Sequence, residues 1–368
     1  MAKYFLIAGE ASGDRHAAAL IEQIAQRDSG AHFAGLGGDL MGAAGCRLYQ
    51  DYRKMAFMGF AAVLHNMSQV RANFRIAQEA LLREQPDALI LIDYPSFNLR
   101  MAKFCKKQLP HTKIYYYIPP KVWAWKRRRV HQIARMCDEV FGIFPFEPAF
   151  YAKYGYACTY VGNPTAEQIS TVKDEKLSIL HAIAVLPGSR QSEISHCLPR
   201  MLEAARRFPD YAITVCAAPG IDDAFYAPYL HTGETLTRDT YGAVQQAAAA
   251  VVNSGTATLE TALLGCPQVA VYHLTGSRLI GAVRWAQPLF FSIPYFTLVN
   301  IIADREVIRE CIANEFTTDK VAQELNRLLH DEPYKKNMLA SYEHIRSLLG
   351  SQPAAAIAAE RIISKNRS

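Results

Sequence analysis

The sequence predicts an α/β protein of two successive doubly wound units, each a parallel sheet with helices on both faces. Three observations predict it. Short apolar runs alternate with helical patterns through the first half, pause near Asn163-Pro164 and then restart. Each loop rich in reactive or phosphate-binding residue types falls just after a predicted strand, where ligands sit in such sheets. The 368 residues suffice for two domains of ordinary size, with a cleft between them.

The elements follow in order. Residues 4–8 form a short apolar strand, and a helical pattern runs over 13–26. Residues 88–92, 113–118 and 139–143 read as further strands separated by helices. The polar stretch 173–176 reads as a linker. In the second half, 182–186, 212–217, 247–252 and 269–272 are strand candidates, and helices separate most of them. The Ala/Leu-rich segment 257–264 is a helix stopped by Gly265 and Pro267. From Asp319 onward the pattern is helical. The domain limits expected are 1–165, 166–345 and a helical tail 346–368.

Bulk properties narrow the function. The formal net charge is +6, too mild to support nucleic-acid binding and compatible with a phosphorylated ligand or an anionic membrane surface. The eight cysteines are scattered without a Cys-x-x-Cys pair, as for thiols in a reducing compartment. Met1 to Ala8 lacks the apolar core of a signal peptide. No run approaches the ~18 apolar residues of a spanning helix. The expectation is a cytoplasmic protein with peripheral membrane contact at most. Neither a metal-binding motif nor a nucleophile elbow is evident.

The loops carry the chemistry. Ser254-Gly255-Thr256 stands where a strand hands over to a helix N-terminus, whose N–H groups and dipole favour phosphate. Glu260 lies one turn further, placed to accept hydrogen bonds from ribose hydroxyls. The alternative is a capped core helix with a solvated Glu. Pro187-Gly188-Ser189-Arg190 follows residues 182–186, and Arg190 can grip a diphosphate in bidentate fashion. Gly9-Glu10-Ala11-Ser12-Gly13-Asp14 follows the first strand, with small residues that let backbone approach a ligand. In that loop Ser12 or Asp14 could instead cap the helix. Gly35-Leu36-Gly37-Gly38 reads as a glycine-rich turn, without the third glycine of a dinucleotide fingerprint. Asp93 ends an apolar strand, where partial desolvation raises a carboxyl pKa and suits a general base. An Asx-turn before Pro95 is the alternative. Trp123 and Trp125 precede Lys126 and Arg127, a mix of aromatic and basic residues that suits a phosphate-bearing interface. Residues 55–64, with Met58, Phe60 and Leu64, form an apolar stretch fit either for a core helix or for a membrane boundary.

Taken in order, these segments resemble the lipid-A-disaccharide synthases, inverting glycosyltransferases of the GT-B fold. The resemblance rests on Gly9 to Asp14, Met58-Gly59, Asp93 with Phe97-Asn98, Val122-Trp123-Ala124-Trp125, Pro145-Phe146-Glu147, Leu186 to Arg190, Ser254-Gly255-Thr256 with Glu260, and Asn300 before Arg305-Glu306. It departs at Ile118-Pro119-Pro120-Lys121, where a Ser-Pro-Ser type segment is expected. The resemblance implies transfer from UDP-2,3-diacylglucosamine to 2,3-diacylglucosamine 1-phosphate, without metal or cofactor. It implies an acceptor-binding first domain, a donor-binding second domain and C-terminal helices that return to the first. Asp93 is then the expected base, with Glu10 in reserve. Ser12, Gly13, Gly188, Ser189, Arg190, Ser254, Gly255, Thr256, Glu260 and Asn300 are expected at UDP. Met58, Phe60, Leu64, Asn98, Trp123, Trp125, Lys126 and Arg127 are expected at the acceptor or at the cytoplasmic face of the inner membrane. The resemblance leaves a homodimer open. A UDP-amino-sugar 2-epimerase, a peptidoglycan-precursor transferase and a non-catalytic lipid or nucleotide binder are the competing readings.

Overall fold

The computed structural model describes residues 1–55, 67–124, 127, 129–172, 180–273 and 294–367. The chain divides into two compact units, residues 1–167 with 351–368, and residues 168–350.

The first unit is built on a parallel sheet of seven strands in the order β3-β2-β1-β4-β5-β6-β7. These are β1 Lys3–Ala8, β2 His32–Gly37, β3 Arg47–Asp51, β4 Ala88–Ile92, β5 Lys113–Tyr117, β6 Glu139–Gly142 and β7 Thr159–Tyr160. Central strands are covered on both faces, so their sequences are continuously apolar. The pleat sends alternate residues to opposite layers. Tyr4, Leu6 and Ala8 of β1 join one core with Leu20, Ile24, Ala358 and Ile362. Phe5 and Ile7 join the other with Leu81, Met101 and Ile133. The helix Ala354–Arg367 therefore belongs to the first unit, packed on the helix Ala11–Arg27. Its end is tied down by polar contacts: Tyr115 Oη donates to Asn366 at 2.9 Å, and buried Glu139 meets Arg361 at 2.7 Å and Lys365 at 3.0 Å. Burial pushes the Glu139 pKa up, but Lys365, Thr159 and Arg361 outweigh it and hold the carboxyl below its ordinary value.

The second unit carries a six-stranded parallel sheet, β10-β9-β8-β11-β12-β13. Its strands are β8 Leu180–Leu186, β9 Ala212–Cys216, β10 Thr235–Thr237, β11 Ala247–Asn253, β12 Gln268–Tyr272 and β13 Glu310–Ile312. The helix Glu332–Leu349 stays with this unit, where Arg346 donates to the Leu263 carbonyl and Gln268 to the Tyr342 hydroxyl.

Five strands carry little sequence signal: β2, β3, β7, β10 and β13. Gly35-Leu36-Gly37 is not a turn; it is the end of β2. A Cβ on Gly35 would lie 2.1 Å from the Leu6 carbonyl oxygen of the neighbouring strand, so the close backbone approach requires glycine. The others have only two to five residues and lie at or near sheet edges, so neighbours define them more than composition does. The expected linker 173–176 lies outside the described residues.

Strand order fixes where each site can form. Each sheet reverses its winding once, between β1 and β4 in the first unit and between β8 and β11 in the second. The crevice at such a reversal, at the strand carboxyl ends, is the general ligand site of open α/β sheets. The loops at 9–10 and 93–94 flank the first reversal. Those at 187–190 and 254–255 flank the second.

Candidate active site

In the first unit the site is built around a forced backbone. Asp93 and Tyr94 have φ of 43° and 45°, the left-handed region in two successive non-glycine residues. Each such residue costs on the order of 1–3 kcal/mol and persists only when its surroundings impose it. Here the surroundings do. The Asp93 N–H donates to the Ile118 carbonyl at 3.2 Å. The Asp93 carbonyl accepts from Tyr116 Oη and from Asn98 Nδ2, both at 2.7 Å. Asn98 Nδ2 also reaches the Ile92 carbonyl at 3.1 Å, and Tyr94 Oη donates to the Met55 carbonyl at 2.7 Å. Gly9 is where the ring of Tyr94 rests: a Cβ there would fall 2.3 Å from it.

The Asp93 side chain is half-buried. Burial raises its pKa, opposed by the Lys121 charge and the Tyr94 N–H. Glu10 lies close enough to raise the Tyr94 pKa, after the larger effect of burial. Asp93 accepts from the Tyr94 backbone, and Glu10 lies within electrostatic reach of the Tyr94 hydroxyl. Ser12 is exposed and Gly13 buried in the first turn of the helix Ala11–Arg27. Asp14 does not cap its own helix. Its carboxylate accepts from the backbone N–H groups of Gly38 at 2.7 Å, Met41 at 3.1 Å and Leu40 at 3.2 Å, which joins the first loop to the end of β2.

Two residues expected at the acceptor or membrane are interior. Asn98 is fully buried, and its Nδ2 is occupied in holding Asp93. Trp123 is 3 % exposed, set edge-on against Phe144 and Phe146, with Nε1 donating to Glu147 at 3.1 Å. Arg127 is exposed. Met58, Phe60, Leu64, Trp125 and Lys126 lie outside the described residues.

Sequence reasoning gave Glu147 no role of its own. It is 1 % exposed and also accepts from the N–H groups of Ile143 at 2.8 Å and Phe144 at 2.9 Å. Burial pushes its pKa up to about 7 despite these donors and Lys121. Lys121 has a solvent-accessible side chain at the rim, yet enough protein crowds its ammonium that desolvation lowers the pKa against the pull of Asp93 and Glu147. Tyr116 was likewise missed. Its place in a Tyr-Tyr-Tyr run reads only as strand, and the alternation that turns its hydroxyl toward Asp93 shows once β5 is paired with β4.

In the second unit the site is open. The helix Thr256–Leu263 begins at Gly255 with no side-chain cap. Gly255 is extended, with φ 172°, and nothing lies within 4 Å of where its Cβ would be. The Ser254 N–H is not available to a ligand, because it donates to the Val271 carbonyl at 2.7 Å. The N–H groups of Gly255 and Thr256 remain at the helix start, where four donors lack intrahelical partners. Glu260 is half-buried one turn along. In the facing loop Gly188 has φ 118°, a conformation that favours glycine. The Ser189 N–H donates to Glu193 Oε2 at 3.1 Å, and Arg190 meets Glu193 Oε1 at 2.5 Å.

Asn300 departs from expectation. Its side chain is fully buried. Oδ1 accepts from Val307 and Ile308 N–H at 2.8 and 3.0 Å, and Nδ2 donates to the Ile308 carbonyl and to Glu310, both at 2.9 Å. The amide is spent on shaping the chain around 307–310 and has no capacity left for a diphosphate. Among the described residues no group of three metal-ligating side chains converges.

Comparison with known proteins decides the family. The model for lipid-A-disaccharide synthetase matches residues 4–362. The chain belongs to that family. A lipid-A-disaccharide synthase of Trichlorobacter lovleyi is 36% identical over 364 residues, covering 95% of this chain and 93% of the relative. One of Myxococcus xanthus is 36% identical over 377 residues, covering 98% and 97%. Among solved structures, the glycosyltransferase of kitacinnamycin superposes with a TM-score of 0.65 at 11% identity, covering 99% of both chains. The UDP-GlcNAc 2-epimerase of Neisseria meningitidis, bound to UDP-GlcNAc, superposes with a TM-score of 0.56 at 10% identity, covering 100% and 99%. At these identities the two structures speak for the fold alone. This member of the lipid-A-disaccharide synthase family is thus a glycosyltransferase with the two Rossmann-like sheets of GT-B enzymes.

Proposed function

We propose that the protein transfers the sugar of UDP-2,3-diacylglucosamine to 2,3-diacylglucosamine 1-phosphate, with inversion, giving the lipid A disaccharide 1-phosphate and UDP. The observation that carries this reading is the position of the four loops at the winding reversals of both sheets, in a chain of this family. The second unit takes the donor. Arg190 and the N–H groups of Gly255 and Thr256 hold the diphosphate and the negative charge that grows on departing UDP. Glu260 holds the ribose. The first unit takes the acceptor, and Asp93 accepts the proton of its attacking hydroxyl. A raised pKa suits that task, because it makes the carboxylate a stronger base. Glu10, within electrostatic reach of Tyr94, is the reserve base.

Both substrates carry acyl chains, so the enzyme meets them at a membrane surface. No helix among the described residues is long and apolar enough to cross a membrane. Three neighbouring helices of the first unit support docking. Arg71, Arg75, Arg100, Lys103, Lys107 and Arg135 are all exposed on them. The helices Pro95–Gln108 and Arg129–Met136 contain no acidic residue at all. Such a surface gains about 1 kcal/mol per cation near anionic headgroups. The decisive experiment measures UDP release in detergent micelles with both substrates and with each omitted. UDP that appears only with both, with a new disaccharide by mass, supports the transferase. UDP binding without release rejects these substrates and favours an epimerase-like reaction.

A further inference from the structure

Glu193 stands at the diphosphate loop, and the proposed reaction gives it no part. It lies in the first turn of the helix Gln191–Ala205, three residues after Arg190. Its two carboxylate oxygens are divided. Oε2 accepts the Ser189 N–H at 3.1 Å, and Oε1 accepts one terminal nitrogen of Arg190 at 2.5 Å. The carboxylate is fixed from the protein side. It is 22% exposed, and a Cβ on Gly188 would come within 2.9 Å of Oε2 and 2.6 Å of Asn253 Nδ2. The positive φ of Gly188 thus presses the loop onto Glu193. The Arg190 side chain is 52% exposed and meets Glu193 through one guanidinium nitrogen. A guanidinium has five donors in a planar fork, so most of its donors stay available to an anion.

We infer that Glu193 is a positioning residue of the donor site: anchored through one oxygen by the Ser189 N–H, it clamps the arginine fork in the arrangement that receives the diphosphate of a nucleotide sugar. This rests on the reading of Arg190 as a diphosphate ligand. A long exposed side chain loses rotamer freedom when it binds, and a clamp removes part of that loss beforehand. The opposite sign also has a physical basis, since a carboxylate beside an incoming diphosphate repels it and holds donors the phosphate needs. Geometry favours the clamp. The carboxylate bonds the guanidinium through one nitrogen, and its other oxygen is held by backbone.

The test is the binding of UDP alone, by titration calorimetry, to the wild type, R190A, E193A, E193Q and the R190A/E193A double variant. The clamp predicts that E193A weakens UDP about tenfold and E193Q less, because the amide keeps one acceptor oxygen. It predicts that E193A has less than a twofold effect once Arg190 is absent. In turnover, the donor KM rises more than kcat falls. Tighter UDP binding by E193A would overturn the clamp and make Glu193 a competitor for the phosphate donors. An undiminished tenfold loss in the R190A background would also overturn it, assigning Glu193 to loop folding. UDP binding unchanged in R190A would overturn both this inference and the placement of the diphosphate at Arg190, and is recognised by that single variant. Thermal unfolding of E193Q checks that the helix start is intact.

Discussion

The loop after β4 and the loop after β11 occupy equivalent places, each beside the winding reversal of its sheet, yet they are built in opposite ways. The first is forced into a left-handed backbone, with its Asp93 carbonyl gripped by Tyr116 and Asn98 and Tyr94 packed on Gly9. The second is extended, uncapped and without close neighbours at Gly255. Under the proposed reaction, the difference follows from what each would present. A base needs one carboxylate held at a fixed angle and partly stripped of water, which takes an enclosing shell. A diphosphate needs unpaired N–H groups, and these survive only where nothing in the protein satisfies them.

The sharpest way to break this comparison is Asp93→Asn. Turnover falls on the order of a hundredfold or more while UDP affinity is kept, measured by initial rates and calorimetry. Near-normal turnover would move the base to Glu10. Arg190→Ala has the complementary signature: UDP binds roughly ten- to a hundredfold more weakly, as expected on losing a charge-assisted bidentate contact. The enclosing shell is tested by Tyr116→Phe, which removes one of two donors to the Asp93 carbonyl. It costs about 1 kcal/mol in denaturant unfolding. It lowers kcat several-fold more than it changes acceptor KM, because the base is loosened and the acceptor pocket is not.

The glycines separate the two loops by stability. Gly9→Ala must displace the Tyr94 ring and costs about 1–3 kcal/mol. Gly255→Ala meets nothing and stays within about 0.5 kcal/mol. Equal costs at the two positions would erase the contrast. A pH slope tests the first unit separately. The pKa of Glu147 is raised from 4.5 to about 7. Between these values the folded form holds a proton that the unfolded chain has lost. Stability from this group is therefore full below the lower value and declines as pH rises through the window, by at most about 1.4 kcal/mol per pH unit. Denaturant unfolding of Glu147→Gln across that window should show a flatter slope than the wild type.

Much of the fold was legible because doubly wound sheets write their central strands as apolar runs. Residues 88–92 and 182–186 are continuous hydrophobic segments, and the first coincides with β4. The loops that end such strands were legible for the same reason. Edge strands were not, since β10 and β13 have only three residues each. Roles decided by which group the folded chain brings to a side chain were hidden as well, even where that group lies five to ten residues away. Asn98, Trp123 and Asn300 carry residue types that suit a ligand site, and each is buried with its side-chain N–H groups engaged inside the protein.

The sequence by itself determined the alternation of strands and helices, the loops that border both winding reversals, and the family. Local pattern suffices for these, because side-chain periodicity and strand-end residue types are properties of short segments. Only the tertiary structure decided which polar groups remain free. Asp14 turned out to cap another loop, Ser254 lost its N–H to β12, and Glu147 became a buried acid beside Lys121. A hydrogen bond has two ends, and when the second lies across the sheet, no reading of one segment can tell whether the first is still available.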